Sequence, residues 1–428
     1  MRTTLKWAAV VLLPMLVLLL IGTPIHPETV GSQFAFTLIG IGLATNTLGN
    51  YNETFFAQEA LIQLEKVLGM AGRVYRGYSP STSARGDTIS IRRPAVFTST
   101  AMPATQSDMA TESVSITLNK WEGVTFGLTD KDLSLSAPQI ITDHIRPAAV
   151  AIADLVDQTL AALYIDIPWV VAQTATPVLA DIAAVRKLMF DNKVPLSDKS
   201  KLHGMIDGAT ELQYLVALAA AGQQANTQDP SLREGSIGRL FGFDVWANQN
   251  TPTHTSGVAT DATGAVDFGS GSTAVYAAGL KAMHIDALTD DATLLIGDTF
   301  AITGHTQRYV LTAIGAETGT GDMDIAFEPG LTAAVDENTV VTFTITGSAK
   351  SQNLFFHTNA FALASAPLST MGDGLGAKMA VASDPITNLS LRSRLWYDGD
   401  NARVMVGLDF LYGVKTLDRN LAVRHYDA

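Results

Sequence analysis

Eight histidines are the side chains best suited here to ligate a metal or move a proton near neutral pH: His26, His144, His203, His254, His284, His305, His357 and His425. They occur singly. No His-x-x-x-His or His-Glu-x-x-His spacing sets two imidazoles on one helix face for a zinc ion, and a solitary histidine is ordinarily a surface or packed residue. The chain has no cysteine, which removes thiolate nucleophiles, disulfides and Cys-ligated zinc or iron–sulfur centres. There is no Gly-x-Ser-x-Gly elbow, P-loop or dinucleotide fingerprint. Gly269-Ser270-Gly271-Ser272 has the composition of a phosphate cradle, but no strand and helix bracket it, so it reads as linker. Arg85-Gly86-Asp87 is an adhesion tripeptide in some proteins, yet Gly-Asp ahead of a β run is ordinary turn chemistry. Trp7, Trp121, Trp169, Trp246 and Trp396 are too scattered to form a platform for stacking bases. The expectation is a chain with no catalytic, cofactor-binding or metal residues, and not an enzyme.

With chemistry silent, the elements carry the argument. At 428 residues, 47 % hydrophobic and 16 % charged, the chain can bury a large core in two or three domains. Its net charge of −13 argues against a protein that coats nucleic acid electrostatically. Phe56, Ala60, Leu61, Leu64, Val67 and Leu68 recur at helical spacing between Glu53 and Met70, ending at Gly69 and Gly72. Thr88 to Arg93 alternates as a strand stopped at Pro94. Ala95 to Glu112 has no periodicity and reads as a loop between strands. Val114, Ile116 and Leu118 alternate with polar residues, and Val124, Phe126 and Leu128 continue that period past Trp121. These strands and their polar tip predict an extended β arm, too thin to hold its own core and in need of a neighbouring subunit.

From Asp143 the period becomes helical, with Ile145, Ala148, Ala149, Ile152, Leu155, Val156, Leu160 and Leu163 on one side and Asp154, Asp157 and Gln158 on the other. Further helices are expected over Leu179–Asp191 and Ala209–Ala221. Gln249 to Thr273, rich in Gly, Thr and Ser, marks a boundary. Strands follow over Lys281–Ile285, Thr299–Thr303, Arg308–Ala313, Met323–Phe327 and Thr339–Thr346, the last with Val341, Phe343 and Ile345 inward. Leu389–Trp396 and Arg403–Tyr412, joined around Asp398-Gly399, predict a terminal hairpin. At the N-terminus, Arg2 and Lys6 precede an apolar run from Trp7 to Gly22 broken by Pro14. That is the layout of a secretory signal or short anchor, though shorter than the roughly 20 residues that span a bilayer. An arm held inside an assembly and an upstream start codon are the other two readings of residues 1–44.

Taken in order, the segments 86–98, 114–135, 141–164, 236–250 (SIGRLFGFDVWANQN) and 395–417 resemble the major capsid proteins of tailed double-stranded DNA bacteriophages, with the Hong Kong 97 fold. The match is nearest to short-tailed phage coat proteins that carry an inserted β-barrel. Each segment alone is a weak signal; their order is what persuades. The resemblance implies an α+β chain divided as follows: extension 1–44, N-terminal arm and helix 45–80, extended β loop 81–136, peripheral domain with spine helix 137–200, first part of the axial domain 201–273, inserted barrel 274–349, and an axial and peripheral return 350–428 with the C-terminal hairpin. It implies homo-oligomerisation into hexons and pentons, with scaffolding protein and portal as assembly partners. The shell would enclose DNA without specific recognition, have no membrane in the mature particle and assemble in the host cytoplasm into a virion capsid. Arg85, Asp87, Arg92, Arg93, Lys120, Trp121, Glu122, Asp130 and Lys131 would meet the adjacent subunit along the loop. Asp286, Asp290, Asp291 and Asp298 are read either as a solvated acidic face or as intersubunit ion pairs. Some members of the fold cross-link a lysine to an asparagine; the adjacency of Asn119 and Lys120 does not establish that chemistry here. The rival readings are an encapsulin-like compartment and, from residues 1–22 and Arg85-Gly86-Asp87, a secreted or membrane-tethered β-rich binding protein.

Overall fold

A computed structural model describes residues 53–77, 88–92, 102, 113–129, 144–172, 179–221, 237–258, 263–268, 275–288, 292–314, 321–344, 347–370, 373–374 and 376–426. All fall within one compact unit, Glu53–Ala428. In chain order the elements begin with α1 (Glu53–Val67), β1 (Thr88–Arg92), β2 (Ser113–Thr117), β3 (Lys120–Thr129), α2 (Arg146–Ala161), β4 (Val170–Ala172), α3 (Leu179–Asp191), β5 (Leu202–Ile206), α4 (Gly208–Ala221), β6 (Arg239–Leu240), β7 (Phe243–Ala247) and β8 (Thr253–Thr255). A run of short strands follows: β9 (Thr263–Asp267), β10 (Val275–Tyr276), β11 (Ala282–Asp286), β12 (Thr299–Ile302), β13 (Arg308–Ile314), β14 (Met323–Glu328), β15 (Val335–Asp336) and β16 (Val340–Thr344). The return consists of β17 (Ala349–His357), β18 (Phe361–Ser365), β19 (Ala377–Asp384), β20 (Leu389–Asp398), β21 (Arg403–Thr416) and β22 (Ala422–Tyr426).

The first module is a sheet of β19, β20 and β21 in which β3 and β18 also pair with β21. Alternation along β21 sends Val406, Leu408, Phe410 and Tyr412 to one face, where all four are buried. That face is covered by α1, against β19 and β20, and by α2, against β21 and β3. Pro147 lies in the first turn of α2, where its missing N–H costs no hydrogen bond. The expected stripe of Ile145, Ala148, Ala149, Ile152, Val156 and Leu160 is buried, while Leu155 is exposed. Asp157 departs from the expected polar face. It is buried, and its carboxylate accepts hydrogen bonds from Gly69 N at 2.7 Å and Ala71 N at 2.9 Å, tying the turn after α1 to α2. Those bonds replace the water lost on burial. Burial pushes this carboxyl above its ordinary value, and the backbone donors pull it back. Residues Arg146–Asp166 are apolar and long enough to cross a membrane by composition, with half of that stretch buried inside the protein.

The second module is the sheet β4-β22-β17-β5-β7-β6, with β8 also paired to β17. β5 and β7 run parallel, with α4 lying between them in sequence, as parallel neighbours need a long crossover. The segment Arg239–Asn250 supplies β6, a turn at Phe241 and Gly242, and β7, with Phe243 fully buried. Phe243 and Phe355 meet edge to face at 5.3 Å, in a core that includes Ile182, Val185 and Met189 of α3. α3 therefore packs with this sheet, not with α2. The division expected at residue 200 falls earlier in space, because the buried face of α3 matches β4 and β22.

The third module is a closed barrel in the order β11-β14-β13-β12-β16-β9. Phe300 packs against Tyr309, Phe327 and Phe343 at 5.3 to 5.4 Å, and Val341 and Phe343 point inward as expected; Ile345 lies outside the described residues. The barrel starts earlier than residue 274. β9, inside the Gly/Thr/Ser stretch read as a boundary, bridges β11 and β16 and so closes the ring. Its small residues hid the alternation that Val266 supplies from within the core.

The arm also differs from expectation. β1 pairs with β2 alone among the described residues, but β3 pairs with β21 over its whole ten-residue length. Ile89, Ile116 and Leu118 at the root of the hairpin are buried against Ala362, Ala364 and Ala366 of the same chain. The thin projection is therefore shorter than residues 81–136, because the apolar period through Val124, Phe126 and Leu128 is covered intramolecularly.

Two outcomes follow for stability. Ile152→Asp places an unpaired carboxylate between α2 and its sheet and should lower unfolding free energy by about 3–5 kcal/mol in urea denaturation; an unchanged midpoint would remove α2 from the core. Burial holds the imidazole of His203 on β5 down at about 4, and that of His357 on β17 below its usual value. The unfolded chain then binds protons that the folded one refuses, so the stability they contribute is complete above about pH 6.5 and is lost as pH falls toward 4. For His203 this amounts to about 3 kcal/mol. His203→Gln should flatten the fall in melting temperature between pH 6.5 and 4.

Candidate functional site

The surface that could meet a partner is the other face of the first sheet, which bears Arg392, Arg394 and Trp396 from β20, Met405, Gly407 and Asp409 from β21, and Trp121, Gly123 and Thr125 from β3. Among the described residues no helix packs on it. Asp409 is buried at its centre, 4 % exposed, beneath two arginines. Arg392 donates from Nε at 3.1 Å and from NH2 at 2.8 Å to one carboxylate oxygen, and Arg394 donates from NH2 at 2.9 Å to the other. Arg392 NH1 also reaches the Ser369 carbonyl at 2.7 Å. Gly123 makes this possible, since a Cβ there would collide with the Leu408 carbonyl and the Asp409 carboxylate. The guanidinium groups lie under tryptophan rings, Arg392 at 5.9 Å from Trp121 and Arg394 at 5.5 Å from Trp396. Trp121 itself is 60 % exposed.

Of the nine residues expected along the loop, three are placed with their side chains. Lys120 opens β3 opposite Tyr412, and Trp121 stands on the exposed face. Glu122 turns to the helix side, where its Oε2 accepts from the Tyr412 hydroxyl at 2.6 Å while Thr159 contacts that hydroxyl at 3.1 Å. One oxygen of Glu122 is thus used within the chain. Burial, with Glu122 beside it, pushes the Tyr412 phenol well up. Arg92 ends β1, and Arg85, Asp87, Arg93, Asp130 and Lys131 lie outside the described residues.

A second constellation was invisible in the sequence. Tyr164, just past α2, His254 on β8 and Asp298 of the barrel form a buried chain, with the phenol 3.0 Å from His254 Nδ1 and His254 Nε2 2.9 Å from Asp298 Oδ1. Asp298 Oδ2 further accepts from Gly257 N at 3.0 Å and Leu295 N at 2.8 Å. With Nε2 donating to the carboxylate, Nδ1 accepts from the phenol. The order hydroxyl, imidazole, carboxylate is that of a nucleophilic triad, but burial raises the Tyr164 phenol above its ordinary value, the opposite of activation. The neighbouring cavity, of about 20 Å³, is water-sized. This network locks the barrel to the body. Asp298 is therefore not part of a solvated acidic face; Asp286 is half-buried on β11, and Asp290 and Asp291 lie outside the described residues. Separations of 90 and 44 residues left no local signal for it.

His284 approaches Asp324 at 2.9 Å and Asp267 at 3.7 Å on the barrel wall, but no group of His, Cys, Asp and Glu suited to hold a metal occurs among the described residues.

Replacing Asp409 with Asn leaves Arg392 and Arg394 without their shared charge. The expected cost is about 3–5 kcal/mol in equilibrium unfolding. A loss below about 1 kcal/mol, the level of an exposed pair, would show that the cluster is solvated.

No family model and no curated protein matches the chain. Among solved structures, one from Mycobacterium phage Che8 aligns at 14 % identity and a TM-score of 0.44, covering 84 % of this chain and 90 % of that one. The capsid structure of the cyanophage P-SCSP1u aligns at 10 % identity and a TM-score of 0.40, covering 83 % and 85 %. The capsid of Ralstonia phage GP4 aligns at 10 % identity and a TM-score of 0.40, covering 85 % and 89 %.

Proposed function

We propose that this chain is a major capsid protein that assembles with copies of itself into an icosahedral shell around phage double-stranded DNA. The observation that carries this reading is the order and interleaving of the modules. A β hairpin leads into a strand of the first sheet; a helix then lies along that sheet; a second sheet follows, interrupted between β8 and β17 by a closed barrel; and the chain returns to complete both sheets. That is the succession of extended loop, spine helix, peripheral domain, axial domain and inserted domain which the resemblance to the Hong Kong 97 capsid fold implies. In this assignment β1 and β2 are the root of the extended loop, α2 is the spine, the first sheet is peripheral and the second axial.

The hairpin has a free outer edge on β1 among the described residues, and an unpaired edge is a template for another chain. Trp121 and the side chains beside it give an aromatic and guanidinium surface of the kind enriched at interface centres. Lys120, Trp121, Arg92 and the expected loop residues outside the described set would meet the adjacent subunit there. Scaffolding protein and portal would assist assembly, and the shell would be built in the host cytoplasm. The barrel favours the short-tailed phage branch over an encapsulin-like compartment.

Electron microscopy of the purified protein, co-expressed with its scaffolding protein and portal, tests this directly. Closed shells are expected, and a product that stays monomeric would overturn the reading. Deleting Ala101–Met109 or replacing Trp121 with Ala should leave the subunit melting temperature within about 2 °C while reducing shell yield severalfold. Normal shells from both variants would contradict the assigned interface.

A further inference from the structure

The end of α1 lies beside the turn that joins β19 to β20, and three half-buried oxygen-bearing side chains meet there. Thr387 Oγ1 is 2.7 Å from Glu65 Oε1 and 2.7 Å from Asp384 Oδ2. Glu65 and Asp384 are also within hydrogen-bond reach of each other. A hydroxyl carries one proton and an ionised carboxylate carries none. With both acids ionised, Thr387 can donate to one of them only, and lone pairs face each other across the remaining contact. One further proton removes the conflict.

The backbone decides which acid takes that proton. Asp384 Oδ1 accepts from Ile386 N at 3.0 Å and Oδ2 from Thr387 N at 3.2 Å. The Ile386 N–H, followed by the Thr387 hydroxyl, holds the Asp384 carboxyl below its ordinary value. Burial pushes the Glu65 carboxyl above its ordinary 4.5; Asp384 opposes its ionisation, while Arg76, in the segment after α1, favours it. The proton therefore sits on Glu65, which donates to Thr387, whose own hydrogen goes to Asp384. Each bond in such a relay polarises the next.

The same turn holds the chain that runs from α1 toward the β1–β2 hairpin. Asn388 Nδ2 donates to the Arg76 carbonyl at 2.8 Å, and Tyr75 exchanges backbone hydrogen bonds with Phe361 and Leu363 of β18. We propose that Glu65, Thr387 and Asp384 form a proton-operated latch, closed on the end of α1 when Glu65 is protonated and released when it ionises, so that pH sets how firmly the lead-in to the arm is held. The latch belongs to the single subunit, whether or not shells form. Because the folded chain keeps a proton that the unfolded chain gives up, its stability is complete below about pH 4.5 and is lost as pH rises through the raised value. The sign is opposite to that of His203 and His357, whose contribution is lost as pH falls.

Amide hydrogen exchange on the full chain from about pH 4 to about pH 9, corrected for the intrinsic pH dependence of exchange, tests the latch. The reporters are the amides of Leu64 to Leu68, where Leu68 N donates to the Leu64 carbonyl at 3.2 Å. Glu65→Gln supplies a neutral donor at every pH with a helix propensity close to that of glutamate. Protection in the unaltered chain should match that in Glu65→Gln at the acid end and fall roughly three- to tenfold below it at the alkaline end, the worth of one hydrogen bond to a charged group. The histidine contribution is common to both proteins and cancels in the ratio. Asp384→Asn, which removes the opposing charge, should abolish the fall. Parallel profiles in the unaltered chain and Glu65→Gln, or a fall undiminished in Asp384→Asn, would overturn the latch.

Discussion

Strand β21 is paired with β20 over residues 403–410, with β3 over residues 403–412 and with β18 over residues 412–416. β3, β18 and β20 take their register from this strand directly, and β19 takes its own through β20. A one-residue slip would exchange its faces, sending Leu408 and Phe410 to solvent and Asp409 under the helices. The ion cluster opposes such a slip from the other side, since Asp409 meets its arginines only when Gly123 sits opposite and leaves room. Burial on one face and charge pairing on the other thus specify the same register, and the helices, the arm root and the C-terminal hairpin are all positioned from it.

This arrangement changes what the arm can do. Because β3 belongs to the body, the projecting part begins at the β1–β2 hairpin, whose root is clamped by Ile89 and Ile116 against Ala362 and Ala364. A rooted hairpin loses less conformational entropy on docking than a free one, which favours many weak contacts summing in a closed lattice. Under the shell reading, the subunit is a rigid body with a short clamped arm, and its own fold does not wait on its neighbours.

The barrel follows the same logic at its seam. It enters and leaves through the adjacent strands β8 and β17, and the buried chain from Tyr164 through His254 to Asp298 ties it to the body beyond that stem, as do Arg419 to Glu328 and Arg424 to the Gly297 carbonyl. A triad-like order of buried groups stiffens that joint. The same burial that makes it useless for catalysis makes each hydrogen bond strong.

The sequence by itself determined the elements whose signal is local. Helix α2, the helix at Leu179–Asp191, the inward Val341 and Phe343, and the hairpin turning after Asp398 were all legible, because periodicity and turn chemistry act within a few residues. Only the tertiary structure decided that β3 joins β21, that β9 closes the barrel, that Asp157 is buried under backbone donors, and that His254 meets Asp298. Each of these depends on groups brought together from distant parts of the chain. Periodicity reports which side of an element is apolar, but it carries no information about which distant partner will cover that side or satisfy a buried charge.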